Sequence, residues 1–146
     1  MKSLWIVALS VACGGGTKYI PEDEGPGQID LVEDEEGPVI EHEQIDESKP
    51  GGVAVQITAE VWDEEGEVLQ VELYYAQSVS TDWQTENMSF DASNSQYRAT
   101  IPATQVGSAE MRYYIKAIDQ AFNETVDPID ADVDRFEAYT FGVSTD

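Results

Sequence analysis

The sequence contains few of the residues that build reactive centres. Among its 146 residues it has one cysteine, Cys13, and one histidine, His42. A single cysteine excludes an intramolecular disulfide, and a single histidine excludes most histidine-based zinc sites and argues against a histidine-dependent triad. Glycine-rich phosphate loops and the GxSxG motif are also missing. We therefore expect a protein without enzymatic activity, stabilised by a hydrophobic core.

Basic residues are scarce as well. Lysine and arginine together number 7 and aspartate and glutamate 30, which gives a net charge of -23. A chain this acidic repels the phosphates of nucleic acids and the surfaces of anionic membranes, so neither is expected as a direct partner. The charge favours cations, basic partners or solubility alone.

The chain begins with an apolar run that is too short to span a membrane. Leu4 to Ala12 is a nine-residue run in which only Ser10 is polar, whereas a spanning helix needs about 20 residues. Met1-Lys2 supplies a basic start and small residues close the run. This shape is typical of a secretory signal.

Ser10-Val11-Ala12-Cys13 resembles the lipobox of bacterial lipoproteins, although Ser10 stands where that family usually has leucine. The resemblance implies a signal peptide at residues 1–12 and acyl chains attached to Cys13. It also implies export to the bacterial cell envelope and membrane anchoring through the lipid, at the outer membrane or cell surface. Soluble secretion and an intracellular location are the alternatives.

Residues 13–36 have the composition of a linker. Glycine, proline and carboxylates dominate, and apolar residues show no sustained period of 2 or 3.6. Such a segment cannot bury enough apolar surface to offset its ordering entropy, and its like charges repel one another. We predict a disordered acidic tether.

From about Pro38 the apolar residues alternate with polar ones, the pattern of antiparallel strands that bury one face. GPVIEHEQI and TDWQTENMSF are predicted as two further strands. About seven strands with frequent turn signals favour an all-β sandwich over residues 37–146. The alternating positions are Val53, Val55, Ile57, Ala59 and Val61; Leu69, Val71, Leu73 and Tyr75; Tyr97, Ala99 and Ile101; Met111, Tyr113, Ile115 and Ala117; and Tyr139, Phe141 and Val143.

From about Gly37 to Val143 the chain resembles the immunoglobulin-like and fibronectin type III-like modules of bacterial surface proteins. The resemblance rests on PVIEH, ITAEVWDEEGEV, VELYY, Trp83, Met88, YRATIPA and YYIKAIDQAFNET. Ala117, Asp119 and Asn123 keep the family's pattern, whereas Phe122 stands where glycine is usual. The resemblance implies an immunoglobulin-like β-sandwich, but this architecture hosts many unrelated functions.

Acidic residues offer a candidate calcium site, and no other cofactor is predicted. The alternation of Asp130, Asp132 and Asp134 is similar to the start of an EF-hand loop, but the glycine and the final glutamate of that motif are missing. A looser site is the hypothesis, because the turn after Trp62 and the loop after Asp119 should lie at one end of the sandwich. A solvated acidic loop is the alternative. The candidate ligands are Asp63, Glu65, Asp119, Asp130, Asp132 and Asp134.

Aromatic residues offer a second candidate site. Trp62, Tyr74 and Tyr114 lie out of phase with the buried positions of their strands, so they are predicted to face outward, and Trp83 to be exposed. Exposed aromatic rings stack on sugars or anchor protein partners. The alternative is that loops or termini cover them.

These observations favour a non-catalytic, lipid-anchored envelope protein that presents an immunoglobulin-like binding or spacer module to a protein or glycan. Two alternatives stay open. One is a calcium-stabilised adhesion domain, and the other is a carbohydrate-binding accessory module of a surface hydrolase.

Overall fold

The computed structural model describes residues 34–145, which form an all-β fold. The predicted signal peptide, Cys13 and the tether up to residue 33 lie outside the described residues. Within residues 34–145 no helix has the length and hydropathy needed to cross a bilayer. The strands are β1 (Val39–Glu41), β2 (Lys49–Pro50), β3 (Val55–Trp62), β4 (Val68–Gln77), β5 (Gln84–Asn87), β6 (Ser89–Asp91), β7 (Gln96–Ile101), β8 (Met111–Asp119), β9 (Glu124–Asp127), β10 (Tyr139–Phe141) and β11 (Val143–Ser144).

The strands form two antiparallel sheets and one short parallel pair. The first sheet has the order β1-β3-β7-β6, and the second has the order β10-β8-β4-β5 with β9 also paired to β8. The parallel pair joins β2 and β11. Apolar side chains of both sheets share one core, with Ile57 from the first and Leu73 and Ile115 from the second. The all-β, antiparallel fold class predicted from the alternation is confirmed.

The alternation also identified the buried faces, with two exceptions. Val53 is 50% exposed because it precedes the first residue of β3. Leu69 is 53% exposed because a β-bulge interrupts β4: Val68 lies opposite Asp119, but Gln70 lies opposite Ile118. The extra residue at a bulge shifts the alternation by one, which places Val68 against the core and Leu69 in solvent.

Eleven strands are described where about seven were expected, because two predicted strands divide and because β2 and β9 were not predicted. AYTFGV contains β10 and β11, and TDWQTENMSF contains β5 and β6. The stretch TDWQTENMSF switches sheets: β5 pairs with β4, and β6 pairs with β7. Met88, between them, is buried. One edge of the second sheet is formed by two strands, β9 and β10, which pair with successive parts of β8. Residues 128–138 leave this edge and return to it, and we call them the edge insertion.

The hairpin between β8 and β9 explains the departure at Phe122. The Phe122 amide donates to the Asp119 carbonyl at 3.2 Å, and the Asp119 amide donates to the Asn123 carbonyl at 3.1 Å. This is a three-residue loop whose last residue takes the left-handed conformation, and Phe122 has a φ of 67°. Glycine adopts that conformation without steric cost, whereas a bulky residue does not.

Substituting Phe122→Gly is therefore expected to stabilise the domain by about 1 kcal/mol. The side chain is 76% exposed, so little packing is lost. Thermal unfolding measures the effect as a higher melting temperature. Ala121→Gly is the matched control, because Ala121 is exposed in the same loop and is not among the described residues with positive φ. Ala121→Gly should lower the melting temperature, because glycine increases the conformational entropy of the unfolded chain. An equal loss of stability in both variants would contradict the prediction.

Candidate functional site

One end of the sandwich is organised around a buried carboxylate. Asp119, the last residue of β8, is completely buried. The backbone amide and the side-chain amide of Asn123 each donate a hydrogen bond to it at 2.9 Å. The Asn123 side chain also donates to the carbonyl oxygens of Asp34, at 2.8 Å, and Glu36, at 3.3 Å. Asn123 thus ties the start of the described chain to the β8–β9 hairpin.

Two further carboxylates converge on Asp119. Asp63 follows β3, and its Oδ1 accepts from the amides of Glu65 and Gly66 at 2.9 and 2.6 Å. Asp34, Asp63 and Asp119 each place a carboxylate oxygen within 4.8 Å of the others. We call these three residues the carboxylate cluster. Sequence reasoning brought Asp63 and Asp119 to the same end, but it missed Asp34, which nothing distinguishes from the other acids of the predicted tether.

The negative charge of this end contributes to a raised pKa in the neighbouring residue Glu65. Partial desolvation, followed by the charges of Asp34 and Glu36, raises the pKa of Glu65 above its ordinary value. Within residues 34–145 no lysine or arginine forms an ion pair with a member of the carboxylate cluster. Carboxylate oxygens of this kind are the ligands that calcium prefers.

The structure separates the other three predicted ligands from the carboxylate cluster. Asp130, Asp132 and Asp134 are exposed residues of the edge insertion. The Asp134 amide donates to the Asp130 carbonyl at 2.8 Å, so their alternation reflects a turn. The four residues of β9, about 13 Å of extended chain, lie between this insertion and Asn123. The predicted set of six ligands therefore divides into two groups.

Three of the four predicted aromatic residues meet on the outer face of the second sheet. Tyr74 and Tyr114 are directly opposed on β4 and β8, and their rings stack at 4.7 Å with an interplanar angle of 3°. Trp83 meets Tyr114 edge-on at 4.9 Å. We call Tyr74, Trp83 and Tyr114 the aromatic trio. They form a second apolar cluster separate from the main core.

For Tyr114 the alternative holds, because a loop covers its outward-facing ring. Its ring faces away from the main core as expected, but it is only 5% exposed, because Ala131 and Ala138 of the edge insertion pack against it. Burial raises the pKa of Tyr114 to about 12, with a further contribution from Tyr74. Periodicity identified the face of the sheet but not the segment that covers it.

Trp62 does not belong to the aromatic trio. It ends β3 on the first sheet, opposite Val39 of β1. Trp62 is 38% exposed and Val39 is 37% exposed. The two residues form a small, separate apolar pair on the surface.

The accessible part of the aromatic trio has a polar border. Tyr74 and Trp83 are half-buried, and the Tyr74 hydroxyl donates to Glu72 at 2.9 Å. Desolvation, followed by that hydrogen bond, raises the pKa of Tyr74 to about 12. Next to β4, every residue of the edge strand β5 is exposed. Aromatic rings beside exposed hydrogen-bonding groups can bind a polyhydroxylated ligand.

Residues 34–145 thus form an all-β module that carries a carboxylate cluster at one end and an aromatic trio on one face. Residues 34–136 match the family described as alpha-1,4-glucan:maltose-1-phosphate maltosyltransferase, domain N/S. The chain belongs to this family. The matched domain is a non-catalytic part of that transferase, which fits a non-catalytic module. Comparison with curated proteins gave no match.

Proposed function

We propose that this chain is a non-catalytic glycan-binding module held at the bacterial cell envelope by lipid on Cys13. The observation that carries the glycan proposal is the aromatic trio, whose rings Tyr74 and Trp83 are partly accessible beside a polar strand. The name of the matched family includes an α-1,4-glucan. An α-1,4-linked glucan is therefore the ligand that we propose.

The chemistry of the face suits a neutral sugar. The C–H face of a pyranose packs on an aromatic ring, and its hydroxyl groups need donors and acceptors alongside. Thr85 and Asn87 of β5, which lie opposite Tyr74 and Glu72 and therefore on the same face, supply both kinds of group from exposed positions. The edge insertion fixes Tyr114, which in turn holds the Tyr74 ring by stacking, so the rings are ordered before a ligand binds.

Replacing Trp83 by alanine is expected to weaken binding of an α-1,4-linked glucose heptamer by about tenfold, equivalent to about 1.4 kcal/mol. Isothermal titration calorimetry of the whole chain measures the change. Trp62→Ala is the matched control, because it removes a partly exposed indole from the other sheet. Its affinity should equal that of the wild type. A wild type that does not bind the heptamer would refute the glycan proposal.

Calcium binding is the second candidate function, and the specific observation is the carboxylate cluster. Three chain segments that are distant in sequence bring their carboxylate oxygens within 4.8 Å of one another. A divalent cation would relieve their mutual repulsion and add oxygen ligation. In this function the ion stabilises the end of the sandwich from which the β3–β4 and β8–β9 turns project.

Calcium is then expected to raise the melting temperature, because a ligand that binds only the native state stabilises it by about 2.7 kcal/mol at 100 times its dissociation constant. The measurement is thermal unfolding in millimolar calcium, with magnesium at the same concentration as the ionic control. Asp63→Asn should lose the response, whereas Asp132→Asn in the edge insertion should keep it. An unchanged wild-type melting curve would discard calcium binding.

A further inference from the structure

The only histidine of the chain lies where the chain leaves the first sheet. His42 follows β1 and begins residues 42–48, which lead to β2 and its pairing with β11; we call these residues the crossover segment. His42 Nδ1 lies 2.7 Å from the Thr58 carbonyl oxygen, and Nε2 lies 2.8 Å from the Tyr113 hydroxyl. The Ile45 amide donates to the same hydroxyl at 3.2 Å. The Tyr113 hydroxyl of β8 therefore contacts two residues of the crossover segment, His42 and Ile45.

These contacts determine the protonation pattern of a neutral ring. The Thr58 carbonyl can only accept, so Nδ1 carries the proton and Nε2 is an acceptor. The Tyr113 hydroxyl then donates to Nε2 and accepts from the Ile45 amide. Tyr113 is completely buried, so these partners replace water. Every polar group of the arrangement is satisfied while His42 is neutral.

A second proton on the ring breaks this arrangement. Nε2 becomes a donor, and the Tyr113 oxygen faces two donors, the imidazolium and the Ile45 amide. The hydroxyl proton then has no acceptor among the contacts made by this group. A buried donor without an acceptor is unfavourable, so protonation opposes the docked position of the crossover segment.

The charged surroundings of His42 do not reverse this effect. The ring borders an open groove of about 680 Å³, through which protons reach it. Desolvation lowers the pKa of His42, and the smaller opposing effects come from the Thr58 carbonyl, Asp127 and Glu43. Several titratable groups face His42 or its partner Tyr113. They are Glu41, Glu43 and Asp46, which are close to His42 in the sequence, Glu60 of β3, Asp127 of β9 and Tyr139 of β10.

We propose that His42 is a pH-sensitive latch whose protonation releases the crossover segment while the two sheets stay folded. In the released segment His42 regains its ordinary pKa of about 6.5, whereas in the docked segment its pKa is lower. The released state therefore binds more protons, and docking weakens as the pH falls below about 6.5. Docking is complete above that pH.

Amide hydrogen exchange at pH 7.5 and pH 5.5, corrected for the intrinsic exchange rates, tests the latch. One proton changes an equilibrium by at most tenfold per pH unit, so protection of the Ile45 amide should fall by up to about tenfold. Amides of Leu73 and Ile115 in the core strands should keep their protection. A pH-independent Ile45 amide would overturn the proposal, and so would an equal loss of protection in all three amides.

Two variants separate the latch from a general effect of acid. His42→Gln retains a hydrogen-bonding side chain without a proton to gain, so protection of Ile45 should no longer depend on pH. Tyr113→Phe removes the hydroxyl, so Ile45 should be less protected at both pH values and its pH response should be lost. If either variant keeps the wild-type pH response, the proton is not on His42 or does not act through Tyr113, and the proposal fails.

Discussion

Replacing Asp119 by alanine is expected to lower the free energy of unfolding by about 2–4 kcal/mol, because it breaks a buried hydrogen-bond network and leaves its donors without an acceptor. For a domain of this size that loss is a fall in melting temperature of roughly 10–20 °C. Asp119 is completely buried and accepts both hydrogen bonds that Asn123 directs toward it. Thermal unfolding in the presence of a calcium chelator measures the loss without a contribution from a bound ion.

The consequence is not limited to one hydrogen bond. The Asn123 side chain joins Asp119 to the carbonyls of Asp34 and Glu36, so its position determines how the chain enters β1. In the alanine variant the two Asn123 donors lose the carboxyl oxygens that accept from them, and the small side chain leaves a gap beside a partly buried amide. The described start of the chain should then exchange its amide hydrogens faster than it does in the wild type.

Two further substitutions show whether the loss of stability comes from the burial of Asp119 or from its charge. Asp132→Ala removes an exposed carboxylate from the edge insertion and should change stability by less than about 0.5 kcal/mol. Asp119→Asn keeps the shape and one acceptor but removes the charge near Asp34 and Asp63. It should lose less stability than Asp119→Ala. If alanine at position 119 is as stable as the wild type, the network does not hold this end together.

The core could be predicted from the sequence because buried residues recur at every second position of a strand. Ile57, Leu73 and Ile115 follow strict alternation, and each is almost completely buried. Features that interrupt the period were missed. The bulge at Leu69 needs one extra residue in β4, and no glycine or proline marks it. The sheet switch at Met88 was missed because TDWQTENMSF contains no glycine or proline that would mark the break between β5 and β6.

The candidate site was predicted less completely because it depends on contacts between segments distant in sequence. Topology placed Asp63 near Asp119, but among 30 carboxylates nothing singled out Asp34. Likewise, the alternation along β4 and β8 placed Tyr74 and Tyr114 on the outer face of the sheet. The alternation could not show that the edge insertion covers Tyr114, because that contact depends on where the insertion returns to β8. Phe122 is a different case: the sequence showed only that it stands where the family usually has glycine, and the structure supplies the reason, a left-handed backbone at that position.

Replacing Cys13 by serine is expected to abolish metabolic lipid labelling and to release the protein from membranes. In the proposed lipoprotein the cysteine carries two or more acyl chains, and each buried methylene contributes about 0.8 kcal/mol of membrane affinity. A single chain gives only marginal binding and usually requires a basic patch as a second signal. With a net charge of -23 this protein has no such attraction to an anionic surface. The lipid must therefore provide the whole of the anchoring.

Serine is nearly isosteric with cysteine but offers no thiol for acylation, so the variant separates anchoring from export. Labelling with an alkyne fatty acid, followed by membrane fractionation, should show the wild type labelled and sedimenting, and Cys13→Ser unlabelled and soluble. Ser10→Leu supplies the residue usual at that position of a lipobox and should be labelled at least as strongly as the wild type. A wild type that carries no label would refute lipid anchoring but leave the glycan and calcium proposals intact, because the residues that carry them lie between 34 and 119.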